Sequence, residues 1–395
     1  MQDVMIVAAA RSPIGKRGGS LARVHPADIL GPVQMEVVRR GCVDAVDVGQ
    51  VVGGCINKVG VQAMNITRTA WLACGGPQEV PAVTVDSQCG SSQYAIDVAQ
   101  NLIRSGQEDI VLACGVENMS RLPIGSDGKA GAAAGMGRAV PESYYGYRDF
   151  VNQFEGAERM ATKYGITRED ADQFGLESQR NALRAQSEGS LEEQLIPLDY
   201  AVRDEEHALT GEAATFWADE NPRETSREAL AKLKPVARED GLHTAGTSSQ
   251  IADGAAAVLL MSATAAAERD ITPLARVAAS TLVGCDPVLM LEGPIPATRR
   301  LLKDTGLTID DIYTFEINEA FASVVLAWAR ALEPDAARVN PNGGAIALGH
   351  PLGATGCILV TKAVHELERT GGRYGLISMC CGGGLGTGTV VERVD

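Results

Sequence analysis

A chain of 395 residues with 45% apolar content and 44 glycines can bury two or three cores, and its composition is neither fibrous nor disordered. Its formal net charge of −15 argues against a nucleic acid or an anionic membrane surface as partner. The nine cysteines are odd in number and lack CxxC spacing, so reduced thiols in a cytoplasmic protein are expected, not a disulfide framework or a zinc ribbon.

The opening "MQDVMIVAAARSPIGKR" has no basic start followed by a long apolar run. It reads as a first strand entering a turn at Ser12-Pro13, not as a signal peptide. No apolar stretch approaches the roughly 20 residues of a membrane span, and the closing "VERVD" is not a peroxisomal address. "VMIVAAA", "QVVGGCI" and "DIVLACG" are short apolar runs suited to buried strands. "SQYAIDVAQNLIRSG" has a helical repeat that stops at Gly106. Strands alternating with helices predict an α/β fold.

An internal repeat sharpens this expectation. Residues 89–115, "CGSSQYAIDVAQNLIRSGQEDIVLACG", lie beside 354–382, "ATGCILVTKAVHELERTGGRYGLISMCCG". Each is a small-residue turn, a helix, an Arg-x-Gly stop and a strand ending at Cys and Gly. "DVGQVVGGCIN" and "DDIYTFEIN" form a second matching pair, so a duplicated βαβ unit is expected. Between the repeats, roughly 121–248, Gly and Ala cluster at 128–137, aromatics at 144–154, and Glu- and Arg-rich helical pieces follow from about 155. Such an insertion over one face of a core is a natural place to bind substrate.

The chemistry-bearing residues fall in separate motifs. Cys89 precedes an apolar helix over 90–104, whose dipole and free N–H groups favour a thiolate; the plain alternative is a buried packing cysteine. His350, in "NPNGGAIALGHPLGATG", sits among glycines and a proline, and is either a general base or oxyanion donor or a structural histidine. Cys380 ends a strand before three glycines, whose N–H groups can approach a developing negative charge. A dinucleotide fingerprint needs a helix after the glycines, and "TVVERVD" reads as a strand instead. Asn318 and Glu319 lie between a strand and a helix, where Asn could simply cap. "HTAGTSSQIADGAAAVLL" adds small hydroxyl residues, Asp253-Gly254 and a buried strand.

Together these motifs resemble the thiolase family of acetyl-CoA C-acyltransferases and 3-ketoacyl-CoA thiolases over essentially the whole chain. Asn318-Glu319-Ala320-Phe321 matches its Asn-Glu-Ala-Phe motif, Gly349 to Gly356 its Gly-His-Pro-x-Gly-x-Thr-Gly motif, and Cys380 to Gly386 its Cys-x-Gly-Gly-Gly-x-Gly motif. The resemblance implies two similar βαβ-type domains stacked in five α-β-α-β-α layers. It places an N-terminal core domain at 1–120, completed by about 249–272, a loop domain for CoA and substrate at 121–248, and a C-terminal core domain at 273–395.

It also implies roles. Cys89 is the acylated nucleophile, His350 takes its proton, and Cys380 moves a proton at the substrate α-carbon. One oxyanion hole pairs His350 with a water on Asn318, and a second pairs the N–H groups of Cys89 and Gly382. Ser249 touches the pantetheine, and Ala320 and Phe321 line the acyl site, although Phe321 could equally be core. Arg223 is a contact for the nucleotide end or a solvated surface charge. Coenzyme A is substrate and product, with no permanently bound cofactor and no metal, and a homodimer or homotetramer is expected.

The chain departs from the family at Thr247-Ser248-Ser249, at Ile251-Ala252-Asp253, at Gln153 near a methionine of short-chain members, and at Leu385 in the last glycine run. "NQFEGAER" and "TSSQIADGAAAVL" point to steroid-type or other bulky acyl groups. A ketoacyl synthase-like condensing enzyme would lack the second catalytic cysteine. A non-catalytic acyl-CoA or lipid carrier would have lost Cys89, His350 or Cys380, and all are present.

Overall fold

The computed structural model describes residues 2–145, 149 and 151–394. Strands Val4–Arg11, Gln50–Gly54 and Ile110–Asn118 form where the apolar runs predict them. Ile110–Asn118 and Ala252–Ser262 are buried along their whole length, as central strands covered on both faces must be. The helix after Cys89 begins at Ser91, with Gly90 as its N-cap, and runs to Arg104. Gly106 then takes a left-handed φ of 74°, which turns the chain out of the helix.

The repeat is visible in the strand order. In the N-terminal half, Gln50–Gly54 pairs in parallel with Ile110–Asn118, followed by antiparallel Ala252–Ser262 and Val4–Arg11. In the C-terminal half, Ile312–Ile317 pairs in parallel with Tyr374–Cys381, followed by antiparallel Leu385–Arg393 and Ala275–Gly284. The halves meet where Met5 and Ile6 pair with Arg276 and Ala275, making one continuous hydrogen-bonded path.

Five layers follow from which helix faces are apolar. Helices Ser91–Arg104 and Thr355–Thr370 share the central core with the inner faces of both half-sheets. Pro26–Arg40 and Ile66–Ala73 cover the outer face of the first half-sheet. Pro294–Thr305 and Ala322–Leu332 cover that of the second. The two central helices touch backbone to backbone at Gly356, where a Cβ would run into the Gln93 main chain.

The intervening segment contains helices Gln153–Lys163 and Arg168–Ser187, as its composition suggests. It also contains an antiparallel hairpin, Leu198–Arg203 with Leu209–Phe216, that the sequence reading lacked. Of the aromatics in 144–154, Tyr147 and Phe150 lie outside the described residues. No helix among the described residues is long and apolar enough to cross a membrane.

One buried charge pair secures the C-terminal half. Lys362 Nζ sits 2.6 Å from Glu316 Oε2 and donates to Gly343 O at 2.6 Å, with both side chains within 2% of full burial. Lys362→Met leaves Glu316 unpaired in the interior, so chemical denaturation should show a loss of about 3–5 kcal/mol.

Candidate active site

Cys89 lies on a tight turn. Gln88 before it has a left-handed φ of 57°, unusual for a residue with a side chain, and Ser91 N donates to Gln88 O at 2.9 Å. The turn faces the loop between strands Tyr374–Cys381 and Leu385–Arg393. There Gly383 and Gly384 both take φ of 80°, so the chain reverses and presents the Gly382 N–H to the Cys89 sulfur. That N–H and the Cys89 N–H both favour the thiolate, but burial outweighs them and pushes the thiol up to about 12. The helix start thus favours the Cys89 thiolate as the sequence implies, and desolvation is the larger, opposing effect.

His350 is held in one tautomer. Its Nδ1 lies 2.7 Å from Thr355 Oγ1, whose single hydroxyl proton is already donated to Pro351 O at 2.9 Å. The hydroxyl can only accept, so Nδ1 carries the proton and Nε2 the lone pair. Asn318 Nδ2 donates to that Nε2 at 3.3 Å. Burial lowers His350 to about 4, leaving it neutral near pH 7. Asn318 does not cap the following helix, whose N-cap is Phe321.

Cys380 and Cys381 are consecutive in a strand and so face opposite ways. Cys381 joins the central core beneath Gly90, where a Cβ would lie 2.6 Å from its sulfur. Cys380 instead joins the cluster containing Ala320 and Phe321. Burial, then the neighbouring Cys89, holds the Cys380 thiol well above its ordinary range.

Cys89, His350, Cys380 and Gly382 line one narrow pocket of about 80 Å³. Ser249, Ala320 and Phe321 line it too, because Ser249 N donates to Ala320 O at 2.9 Å and ties the serine loop to the Asn-Glu-Ala-Phe stretch. Asn318 reaches the pocket through His350. Arg223 does not line it: the residue is exposed, with Nη1 donating to Asn221 O at 3.4 Å.

Sequence reasoning missed Met119, Ile124, Leu291 and Leu352, which form the apolar side of the pocket. Phe154 closes it edge-on to Phe321, with ring centroids 5.4 Å apart. No charged side chain lines the pocket among the described residues.

A thiol, a neutral imidazole whose Nε2 carries the lone pair, a second thiol and two converging N–H groups make a site suited to acyl transfer through a thioester. Comparison with known proteins agrees. Residues 4–264 match the family model "Thiolase, N-terminal domain", and 271–393 match "Thiolase, C-terminal domain". The chain is 46% identical to a steroid 3-ketoacyl-CoA thiolase of Mycobacterium tuberculosis, covering all of this chain and 95% of that protein. It is 42% identical to a beta-ketoadipyl-CoA thiolase of Acinetobacter baylyi, with both chains fully covered. A crystal structure of the Bacillus anthracis acetyl-CoA acetyltransferase superposes with a TM-score of 0.88 at 36% identity, over 100% of this chain and 99% of that one. The chain belongs to the thiolase family, acyltransferases that work on acyl-CoA thioesters.

Proposed function

We propose that the protein cleaves 3-oxoacyl-CoA with coenzyme A, reversibly, through an acyl group carried on Cys89. The convergence of Cys89, His350 and Cys380 on one pocket carries this reading. In the cleavage direction the Cys89 sulfur bonds to the C3 carbonyl carbon while His350 Nε2 takes the thiol proton. The bond between C2 and C3 then breaks, and the Cys380 thiol gives its proton to C2, releasing acetyl-CoA. The coenzyme A thiol next passes its proton to the Cys380 thiolate and attacks the acyl-enzyme. Cys89 leaves and recovers its proton from His350, so both thiols end as they began. The N–H groups of Cys89 and Gly382 form one oxyanion hole, and His350 with an Asn318-held water forms the other. Ser249 contacts the pantetheine arm, and Arg223 contacts the nucleotide end. The division into an N-terminal core (1–120 with 249–272), a loop domain (121–248) and a C-terminal core (273–395) has Gln153, Phe154 and Ser248 reaching the pocket from the loop domain.

The acyl group is apolar, of the lipid or steroid type. Two observations support this: the apolar lining without a charged side chain among the described residues, and the relative named as a steroid 3-ketoacyl-CoA thiolase. An acyl chain ending in a carboxylate, as in the beta-ketoadipyl relatives, would bury a charge without a partner there. Thiolysis should therefore favour 3-oxooctanoyl-CoA over 3-oxoadipyl-CoA by about tenfold or more in kcat/KM. Equal values, or the reverse order, would sink the apolar assignment.

Coenzyme A is a substrate and product, and no permanent cofactor is involved. The nine free cysteines support a reducing, cytoplasmic setting. A homodimer or homotetramer is supported by exposed Met64, Leu72 and Val83 at and beside the edge strand Ala82–Val85; sedimentation velocity tests it.

A further inference from the structure

The duplicated architecture makes a crossed pair of contacts between the halves. The strand Tyr374–Cys381 of the second half ends at Gly382, whose N–H meets Cys89 before the first half's central helix. The strand Ile110–Asn118 of the first half carries Glu117 near its end, and Glu117 meets Gly353 just before the second half's central helix. One crossing serves the nucleophile. The other reaches the turn that carries His350.

Glu117 is fully buried and accepts five hydrogen bonds. Oε2 receives the N–H of Ile56 at 3.0 Å and of Gly353 at 3.1 Å. Oε1 receives Asn57 N at 3.2 Å, Asn57 Nδ2 at 3.3 Å and Gln62 Nε2 at 2.7 Å. The nearby cation Lys58 is engaged with Asp86 at 2.7 Å, and no ion pair to Glu117 exists among the described residues. A fully buried carboxylate is costly, and apolar packing could have joined the same segments. The contact is also tight: a Cβ at Gly353 would stand 2.8 Å from both Glu117 Oε2 and Cys55 Cα.

We propose that Glu117 is a positioning residue for acyl transfer, its carboxylate fixing through Gly353 the turn that carries His350. The inference rests on the acyl-transfer reading above.

Glu117→Gln and Glu117→Asp disturb this contact in two different ways. Glutamine keeps the size but loses the charge, and its amide turns a donor toward a cluster made only of donors. Aspartate keeps the charge but falls short of Gly353. Both should lower kcat by about 10-fold to 100-fold, the usual result of misplacing a reacting group by a fraction of an ångström to one ångström, with the KM for coenzyme A little changed. A merely structural link between segments would not separate kcat from KM in this way.

A kcat within twofold of the parent in both variants, a rise in the KM for coenzyme A as large as the fall in kcat, or failure of both to fold would overturn the assignment. A parent protein silent in thiolysis would strike the acyl-transfer reading instead.

Discussion

Replacing Cys89 with alanine should abolish thiolysis, lowering kcat by at least about 10⁴-fold, the scale seen when a covalent nucleophile is removed. The change deletes one sulfur at the face of a pocket, so the fold should survive it. Intact-mass measurement after brief exposure to a 3-oxoacyl-CoA should show an acyl adduct on the parent protein and none on the variant. No adduct on the parent would remove the acyl-enzyme and return the carrier reading.

The protonation states make this result specific. A thiol near 12 beside an imidazole near 4 forms no stable ion pair at rest, so the proton must move as the sulfur attacks. His350 is depressed in the folded site, which keeps its base form available above about pH 4 and loses it as pH falls through that value. The acylation rate should then stay level between about pH 6 and 9 and fall only toward pH 4, whereas an unperturbed histidine would place the break near 6.5. Iodoacetamide labelling of Cys89, which needs free thiolate, should instead climb with pH through 10 without levelling. Rapid-quench acylation and labelling against pH would separate these two behaviours.

Several parts of the molecule were legible because they are written in local pattern. The strands at Val4–Arg11 and Ile110–Asn118 are unbroken apolar runs, as strands buried on both faces require. The repeat is legible because both halves need a small residue at the start of a central helix: Gly90 lies close against Cys381 and Thr387, and Gly356 against the Gln93 main chain. Other features had no local signature. The hairpin Leu198–Phe216 lies largely exposed, so no alternation of apolar residues announced it. Met119 and Ile124 come to the pocket from the loop after strand Ile110–Asn118 and Leu291 from a loop far along the chain, and only the fold brings them together. The state of Cys89 also depends on burial, a tertiary quantity that opposes the N–H groups and that local reasoning from the helix N-terminus could not weigh. Glu117 passed unnoticed because its five donors come from residues 56, 57, 62 and 353.

Cys380→Ser should split the reaction into its two chemical halves. Loading Cys89 from acetyl-CoA exchanges one thioester for another and asks only His350 to handle a proton, so acetyl adduct formation should remain within about tenfold of the parent. Making or breaking the bond between C2 and C3 also requires a group that exchanges a proton with carbon. A serine hydroxyl is a far weaker acid than a thiol, and burial at a position only 1% exposed raises it further. Cleavage of 3-oxoacyl-CoA should therefore fall by about 10³–10⁴-fold, at the upper end of what positioned acid–base catalysis supplies. Cys381 cannot substitute, because its sulfur lies on the opposite side of the strand beneath Gly90. Cys285 lies near enough to act electrostatically on Cys380, yet its thiol is turned to Met290 O, 3.8 Å away. Equal losses of loading and cleavage would mean that Cys380 shapes the pocket and carries no proton. Loss of cleavage alone, with the acetyl adduct intact, assigns the carbon–carbon step to this thiol.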